Sequence, residues 1–102
     1  MNNSENFYTA IGKRKCAVAK VFLKEGTGTI MVNGKSFEDF FSGATDERDM
    51  VKSPFLLVNL NNKYDIAVSI HGGGITAQLE AIRLAISKAL CQIDNSYRQI
   101  LN

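Results

Sequence analysis

The sequence is poor in the residues that build metal sites and disulfide scaffolds. Among its 102 residues are two cysteines, Cys16 and Cys91, and one histidine, His71. A structural zinc site takes four such ligands, so one copy of this chain has too few, and we expect no metal and no cofactor. The cysteines have neither CxxC spacing nor nearby histidines, and we expect both to be reduced, as in an intracellular protein.

Proline and long apolar runs are also scarce. One proline and a hydrophobic fraction of 45% are typical of a folded domain rather than a disordered chain. No apolar run is long enough to cross a bilayer, and the start, MNNSENFYTA, lacks a signal-peptide pattern, so no membrane partner is expected. The length favours one domain over residues 1–102, with residues 1–6 disordered.

Negative charge is absent from the most basic part of the chain. The net charge is only +2, but five of the ten acids lie between positions 38 and 49. The stretch GKRKCAVAKVFLK, residues 12–24, contains five bases and no acid. A solvated edge strand protected by lysines gives such a pattern. Three adjacent bases followed by two more are at least as typical of a surface that faces a polyanion.

The hydrophobic pattern predicts strands in two parts of the chain. Residues 7–23 fit one extended segment, with alternate residues forming an apolar face and Val18 and Phe22 lying among lysines on the other face. A turn at residues 25–28 should lead to a second strand, TIMV, that pairs back onto the first and ends at an Asn33-Gly34 turn. The alternation in YDIAVSIH predicts a further strand over residues 64–71.

Helices are predicted between and after these strands. Ser36 is a candidate N-cap for one short helix, and a second over residues 45–53 should end before Pro54. A long helix follows residue 74, with Ile75, Leu79, Ile82, Ile86 and Leu90 as its core stripe. Asp94 is expected to cap a last helix. The mixture predicts an α/β (α+β) two-layer sandwich, with a sheet of about four strands covered on one face by helices.

Three consecutive glycines, Gly72–Gly74, separate the predicted strand from the long helix. Glycine lets the backbone approach another group closely, and the helix start directs N–H groups to the same place. HGGG occurs in hydrolase oxyanion holes, but the companion GxSxG is missing, and so are both common phosphate-loop spacings. Asp65 and Glu80 are expected to be solvated surface carboxylates rather than catalysts. A structural turn, a small phosphate ligand and a large polyanion remain as alternatives.

Two stretches together resemble the small-subunit ribosomal protein nine family of bacteria and organelles. They are IGKRKCAVAKVFLKEGTGTIMVNGK, from residue 11, and VSIHGGGITAQLEAIRLAISKAL, from residue 68. The resemblance implies a four-stranded two-layer domain that is a structural, non-enzymatic part of the ribosome in a bacterial cytoplasm or an organelle. It also implies binding to small-subunit ribosomal RNA in the subunit head, beside neighbouring ribosomal proteins.

The candidate RNA-binding residues combine positions that the resemblance carries over with further bases. They are Gly12, Lys13, Arg14, Lys15, Lys20, Gly72, Gly73, Gly74, Gln78, Arg83, Lys88 and Arg98. No catalytic residue is predicted. Bacterial members of the family continue beyond the position of Leu101 with a long basic extension toward the peptidyl-site transfer RNA. Because this sequence ends at Asn102, we do not extend the resemblance to a transfer-RNA contact.

Two other functions stay open at this point. The family fold is related in shape to small-molecule kinases, so an enzyme that binds a nucleotide or another small phosphate ligand is the alternative. The acidic segment of residues 38–49 would also suit a protein adaptor, which is compatible with the ribosomal role because neighbouring ribosomal proteins are basic.

Overall fold

The computed structural model describes residues 7–42, 49–58, 60 and 63–101. These residues form five strands and four helices: β1 (Phe7–Arg14), β2 (Ala17–Glu25), β3 (Ile30–Val32), β4 (Lys35–Ser36), α1 (Phe37–Phe40), α2 (Asp49–Leu57), β5 (Tyr64–His71), α3 (Ile75–Ile93) and α4 (Tyr97–Leu101). The expected disorder of residues 1–6 lies outside the described residues.

The five strands form one sheet in the order β1-β2-β5-β3-β4. β2 pairs antiparallel with β1 and β5, and β3 pairs parallel with β5 and antiparallel with β4. Helices pack on one face of this mixed sheet. The α+β class predicted from the sequence is confirmed, with five strands where about four were expected.

The segment predicted as one extended strand over residues 7–23 is a hairpin. β1 ends at Arg14, β2 begins at Ala17, and Lys15 between them has a φ of +55°. Lysine rarely takes this left-handed conformation, and no glycine, proline or asparagine marks the turn. The prediction was wrong because the alternation of the sequence gives no sign of a break there. The fold places the GKRK motif at the end of the hairpin.

The sequence suggested that β3 pairs back onto the preceding strand, but in the structure β3 does not pair with β2. It lies parallel to β5, with Ile30 opposite Ile66. β5 takes the place beside β2 because its eight residues form an eight-pair ladder there, whereas β3 has three residues. The Asn33-Gly34 turn is confirmed: both residues have positive φ, +51° and +82°, as a tight hairpin turn requires.

The predicted start of α1 is confirmed, and the predicted stop at Pro54 is wrong. The N–H of Asp39 donates to the Ser36 hydroxyl at 3.1 Å, so Ser36 is the N-cap. α2 continues past the buried Pro54 to Leu57. Proline has no N–H for the carbonyl of Met50, four residues earlier. The hydroxyl of Ser53 donates to that oxygen at 2.8 Å instead. Residues 45–48 of the predicted helix lie outside the described residues.

The core lies between the helices and the sheet, with α3 as its main helical side. Its helix side contains the predicted apolar residues Leu79, Ile82, Ile86 and Leu90, all fully buried. Ile75 is 49% exposed, so its predicted place in the core was wrong. It is the first residue of α3, at the end of the sheet where β5 has already finished. The strand side consists of Ala17, Ala19, Val21 and Leu23 of β2, and Ile66, Val68 and Ile70 of β5.

α3 approaches β1 closely at Gly12. A Cβ at this position would overlap the carbonyl oxygen of Ala81 and lie 2.7 Å from the amide nitrogen of Ala85. Because Gly12 has no side chain and the fully buried alanines of α3 are small, the helix and the strand can touch. Gly12 is therefore a packing residue, which explains its place in the sequence without any ligand.

Two side chains of α3 also hold the backbone of β1, an edge strand of the sheet. Lys88 Nζ donates to the carbonyl oxygen of Ile11 at 3.1 Å, and Gln92 Nε2 donates to that of Thr9 at 2.7 Å. One turn of helix separates the two donors, which matches the two-residue step between the acceptors.

The last helix, α4, follows a turn held by Asp94. Its Oδ1 accepts the N–H of Ser96 at 2.9 Å and the Ser96 hydroxyl at 2.7 Å. The predicted last helix is confirmed, with Asp94 ordering the turn just before it. Across the described residues, the helices are too short or too polar to cross a bilayer.

Candidate nucleic-acid interface

The three glycines at the start of α3 differ in backbone conformation. Gly72 and Gly73 have φ of +78° and +71°, which favour glycine. Gly74 has φ −94° and ψ 178°, an extended conformation open to most residues. Gly74 is the N-cap of α3, its carbonyl accepts the N–H of Gln78 at 2.9 Å, and, as a glycine, it has no side chain to cap the helix.

Their surroundings differ in the same way. A Cβ on Gly72 would overlap the carbonyl oxygen of Cys16, and one on Gly73 would lie 2.9 Å from the Cβ of Ala17. A Cβ on Gly74 would have no atom within 4 Å. Gly72 and Gly73 are thus required by the turn and by its contact with the hairpin, while Gly74 faces open space.

This contact joins the two sequence motifs at one end of the sheet. Val18 at the start of β2 is paired with His71 at the end of β5, so the hairpin turn lies beside the glycines. The side chains of Lys13, Arg14 and Lys15 are all exposed there. We call Lys13, Arg14, Lys15 and Gly74 the hairpin–glycine surface.

One base of this surface is already paired. Arg14 Nε donates to Glu80 Oε1 at 2.9 Å, with 56% and 35% of the two side chains exposed. Glu80 was predicted to be an isolated, solvated surface carboxylate; it remains partly exposed, but the structure shows that it is paired rather than isolated. Nothing in the sequence pattern indicates the pair, because 66 residues separate its members. The ion pair fixes Arg14 beside the start of α3.

The other predicted contacts are spread more widely. Gln78 Nε2 donates to the carbonyl of Gly72 at 3.0 Å and supports the glycine turn. Arg83 Nε lies 3.4 Å from the Ser53 hydroxyl of α2, and Lys88 is bonded to β1 as described. Lys20 lies on the sheet face opposite α3.

Arg98 is far from the glycines. It belongs to α4, which follows α3 at its other end, so roughly 27 Å of helix separates it from Gly74. The structure therefore joins the hairpin bases to Gly74 and Gln78, and leaves Arg98 outside this group.

Asp65 lies at the opposite end of β5 and has a structural function. Its Oδ1 accepts the backbone N–H groups of Thr27, Gly28 and Thr29 at 3.0–3.1 Å. These hydrogen bonds, that from Thr29 first, lower the pKa of Asp65 below its ordinary value, and nearby Lys24 adds to the effect. Asp65 was also predicted to be a solvated surface carboxylate rather than a catalyst; it lies at the surface, and the structure shows in addition that it orders the loop between β2 and β3.

A cavity of about 220 Å³ lies at this far end, between α2 and the sheet. Among the described residues, its lining combines apolar side chains with the charged Lys52: Gly28, Ile30, Lys52, Phe55, Leu56, Tyr64 and Ile66. The cavity and the glycine junction are at opposite ends of β5. They do not form a shared phosphate pocket.

Comparison with known proteins gives consistent matches along almost the whole chain. The family model described as ribosomal protein S9/S16 matches residues 12–102. Small ribosomal subunit protein uS9 of Flavobacterium psychrophilum is 43% identical over 91 residues, 89% of this chain and 70% of that protein. For uS9c of Guillardia theta the identity is 43% over 101 residues, 99% and 75% of the two chains. For uS9 of Maridesulfovibrio salexigens it is 46% over 98 residues, 96% and 75%.

Proposed function

Because the chain belongs to the ribosomal protein S9/S16 family, we propose that it is a structural constituent of the small ribosomal subunit and binds ribosomal RNA there. The family is non-enzymatic, and so is this protein. The ribosome in question is that of a bacterium or an organelle, in keeping with relatives named uS9 and uS9c.

The observation that carries the RNA contact is the hairpin–glycine surface. Gly74 leaves space beside the N-terminus of α3, where the N-cap residue has no side chain, and the exposed bases of the hairpin lie next to it. A phosphate oxygen can reach the backbone N–H groups at such a helix start, where the helix dipole favours negative charge. Lysine and arginine then replace the counterions of neighbouring phosphates. This arrangement recognises a folded RNA backbone by its shape rather than by base sequence.

The contact requires one exchange at Arg14. In the free protein its guanidinium is held by Glu80. An exposed ion pair of this kind contributes little stability, about 0–1 kcal/mol, so a phosphate can take over the arginine at small cost. Glu80 thus keeps Arg14 near the glycines before RNA arrives.

Binding of small-subunit ribosomal RNA by the isolated protein tests the proposal. We expect the protein to co-sediment with that RNA and to protect a discrete region from backbone cleavage. Lys15→Ala and Gly74→Ser should weaken the protection, while Lys63→Ala, a lysine at the far end of the sheet, should not. Equal binding to every RNA, or binding to none, would contradict the proposal.

The partners within the subunit include neighbouring ribosomal proteins. Glu38 and Asp39 are exposed on α1 and give that side of the molecule negative charge. They suit contact with a basic neighbour, as the acidic segment suggested, although residues 43–48 lie outside the described residues. The proposal includes no transfer-RNA contact. The kinase-like alternative finds no support, since the cavity and the glycines lie apart.

A further inference from the structure

The sheet face opposite α3 carries large apolar side chains. Phe7, Ile11, Phe22 and Met31 alternate in sequence with residues that turn toward the helices, and each is 38–51% exposed. None of the described helices packs on this face, which we call the open face. Solvated sheet faces are normally polar, so such a group of side chains marks a surface of contact.

Two of these side chains form an exposed aromatic pair. The rings of Phe7 and Phe22 are stacked, with centroids 4.7 Å apart and planes 20° from parallel. Register explains the contact, because Phe22 is opposite Thr9 and Phe7 lies diagonally across from it. A stacked pair whose side chains are 51% and 38% exposed can receive a further flat, aromatic group on its free surface.

The charge of the open face favours an anionic partner. Lys20 occupies the outward position of β2 two residues before Phe22 and pairs in register with Ile11. Lys13, which also belongs to the hairpin–glycine surface, continues this line on β1. Among the described residues, neither Lys13 nor Lys20 has an ion pair. The acid on this face of β5, Asp65, is engaged by three backbone N–H groups.

We propose that the open face binds an unpaired segment of RNA, with a base stacked on the Phe7–Phe22 pair and phosphates at Lys20 and Lys13. A single-stranded nucleic acid presents flat, apolar bases and a charged backbone. Aromatic side chains stack on the bases, and neighbouring lysines bind the phosphates. Successive outward positions on β2 are about 6.7 Å apart, which places Lys20 within reach of a phosphate next to the stacked base. A protein partner would need its own carboxylates opposite these lysines.

This inference rests on the proposed function and adds a second type of contact to it. The hairpin–glycine surface recognises a backbone shape, whereas the open face selects RNA whose bases are free to stack. A base-paired RNA helix can bind the hairpin–glycine surface equally well, but its bases are not free to stack on the open face. The two surfaces adjoin at Lys13, so one RNA passing from a helix into a loop contacts both.

The test compares three anions of similar charge on the full chain: an unpaired oligouridylate of roughly ten nucleotides, an RNA duplex, and inorganic polyphosphate. Phe22→Ala should weaken oligouridylate binding by roughly 5- to 150-fold, the loss of stacking with one base. Phe22→Leu, which keeps an apolar side chain and the fold, should lose most of the same affinity. Binding of duplex and polyphosphate should change less than about twofold, since no charge is removed.

Ile100→Ala is the matched control, because Ile100 is 50% exposed on α4, away from the sheet. It should leave all three affinities unchanged. Unchanged oligouridylate binding by Phe22→Ala, or an equal loss for polyphosphate, would overturn the stacking contact. The stacking contact would also be overturned if Phe22→Ala changed only self-association, measured by sedimentation equilibrium. That result would assign the open face to protein contacts. If the unmodified protein binds no RNA, the proposed function itself fails, and this is seen before any variant is compared.

Discussion

Among single residues, Gly74 combines an ordinary backbone conformation with empty space where a side chain would lie. We expect Gly74→Ala to lose no more than about 1 kcal/mol of stability, because alanine is a poor N-cap. Gly74→Ser should regain this loss, since serine is a better N-cap than glycine. If a phosphate approaches Gly74, both variants should still weaken RNA binding by about 1–3 kcal/mol. Thermal unfolding and RNA titration measure the two effects separately.

Gly72 and Gly73 should behave in the opposite way. Their positive φ values and their contacts with Cys16 and Ala17 leave no room for a side chain. Gly72→Ala should destabilise the fold by roughly 1–3 kcal/mol, the combined effect of left-handed strain and displaced backbone. If all glycine variants that remain folded bind RNA normally, the junction is only a turn, and the basic hairpin alone makes the contact.

Asp65 should give the protein a stability that depends on pH at the acid end. Its pKa is lowered in the folded state, so its stabilising effect is complete above the ordinary value of 3.8 and is lost as the pH falls through the lowered value. Asp65→Asn should reduce the free energy of unfolding at neutral pH by about 1 kcal/mol, a modest amount because the group is partly exposed. The difference should shrink below about pH 4. Urea unfolding across this range measures it, and Glu25→Gln serves as a control for the loss of one surface charge.

At the scale of elements, the contact between α3 and β1 depends on Gly12. Gly12→Ala places a methyl group against the backbone of Ala81 and Ala85, which cannot move without shifting the helix. We expect a loss of roughly 1–3 kcal/mol in unfolding free energy, as for overpacking of a well-filled core. Thr9→Ala, on the exposed side of the same strand, should change stability far less. A Gly12→Ala variant with normal stability and weak RNA binding would return Gly12 to the candidate interface.

The regular elements could be predicted from the sequence. The predictions failed where a single side chain or a contact between distant residues determines the structure. β5 and α3 were found because their apolar residues repeat with periods of two and of three to four. The turn at Lys15 was missed because it uses no turn-forming residue. Pro54 was wrongly predicted to end the helix, because the Ser53 hydroxyl replaces the N–H donor that proline lacks. The glycine junction and the basic motif were predicted separately, and only the pairing of Val18 with His71 shows that they are neighbours.

At the scale of the whole molecule, the distribution of charge should govern binding more than the net charge of +2. If roughly five phosphates are neutralised, the logarithm of the RNA affinity should fall with the logarithm of salt concentration at a slope of about −3.5 to −4.5. Lys13→Ala should flatten this slope by about one unit without changing any base preference. Titrations at several salt concentrations measure the slope. A slope near zero would remove polyanion binding as the main function.

The hydrogen bonds from Lys88 and Gln92 to the backbone of β1 have a consequence for the protein before it joins a ribosome. An edge strand with free carbonyl oxygens can add a strand from another chain and begin aggregation. Here the carbonyls of Ile11 and Thr9 are occupied by the two donors of α3. The opposite edge, β4, has only two residues and offers little to an incoming strand. Two carbonyl groups of one edge are thus occupied and the other edge is short, so both borders of the sheet are less open to an added strand.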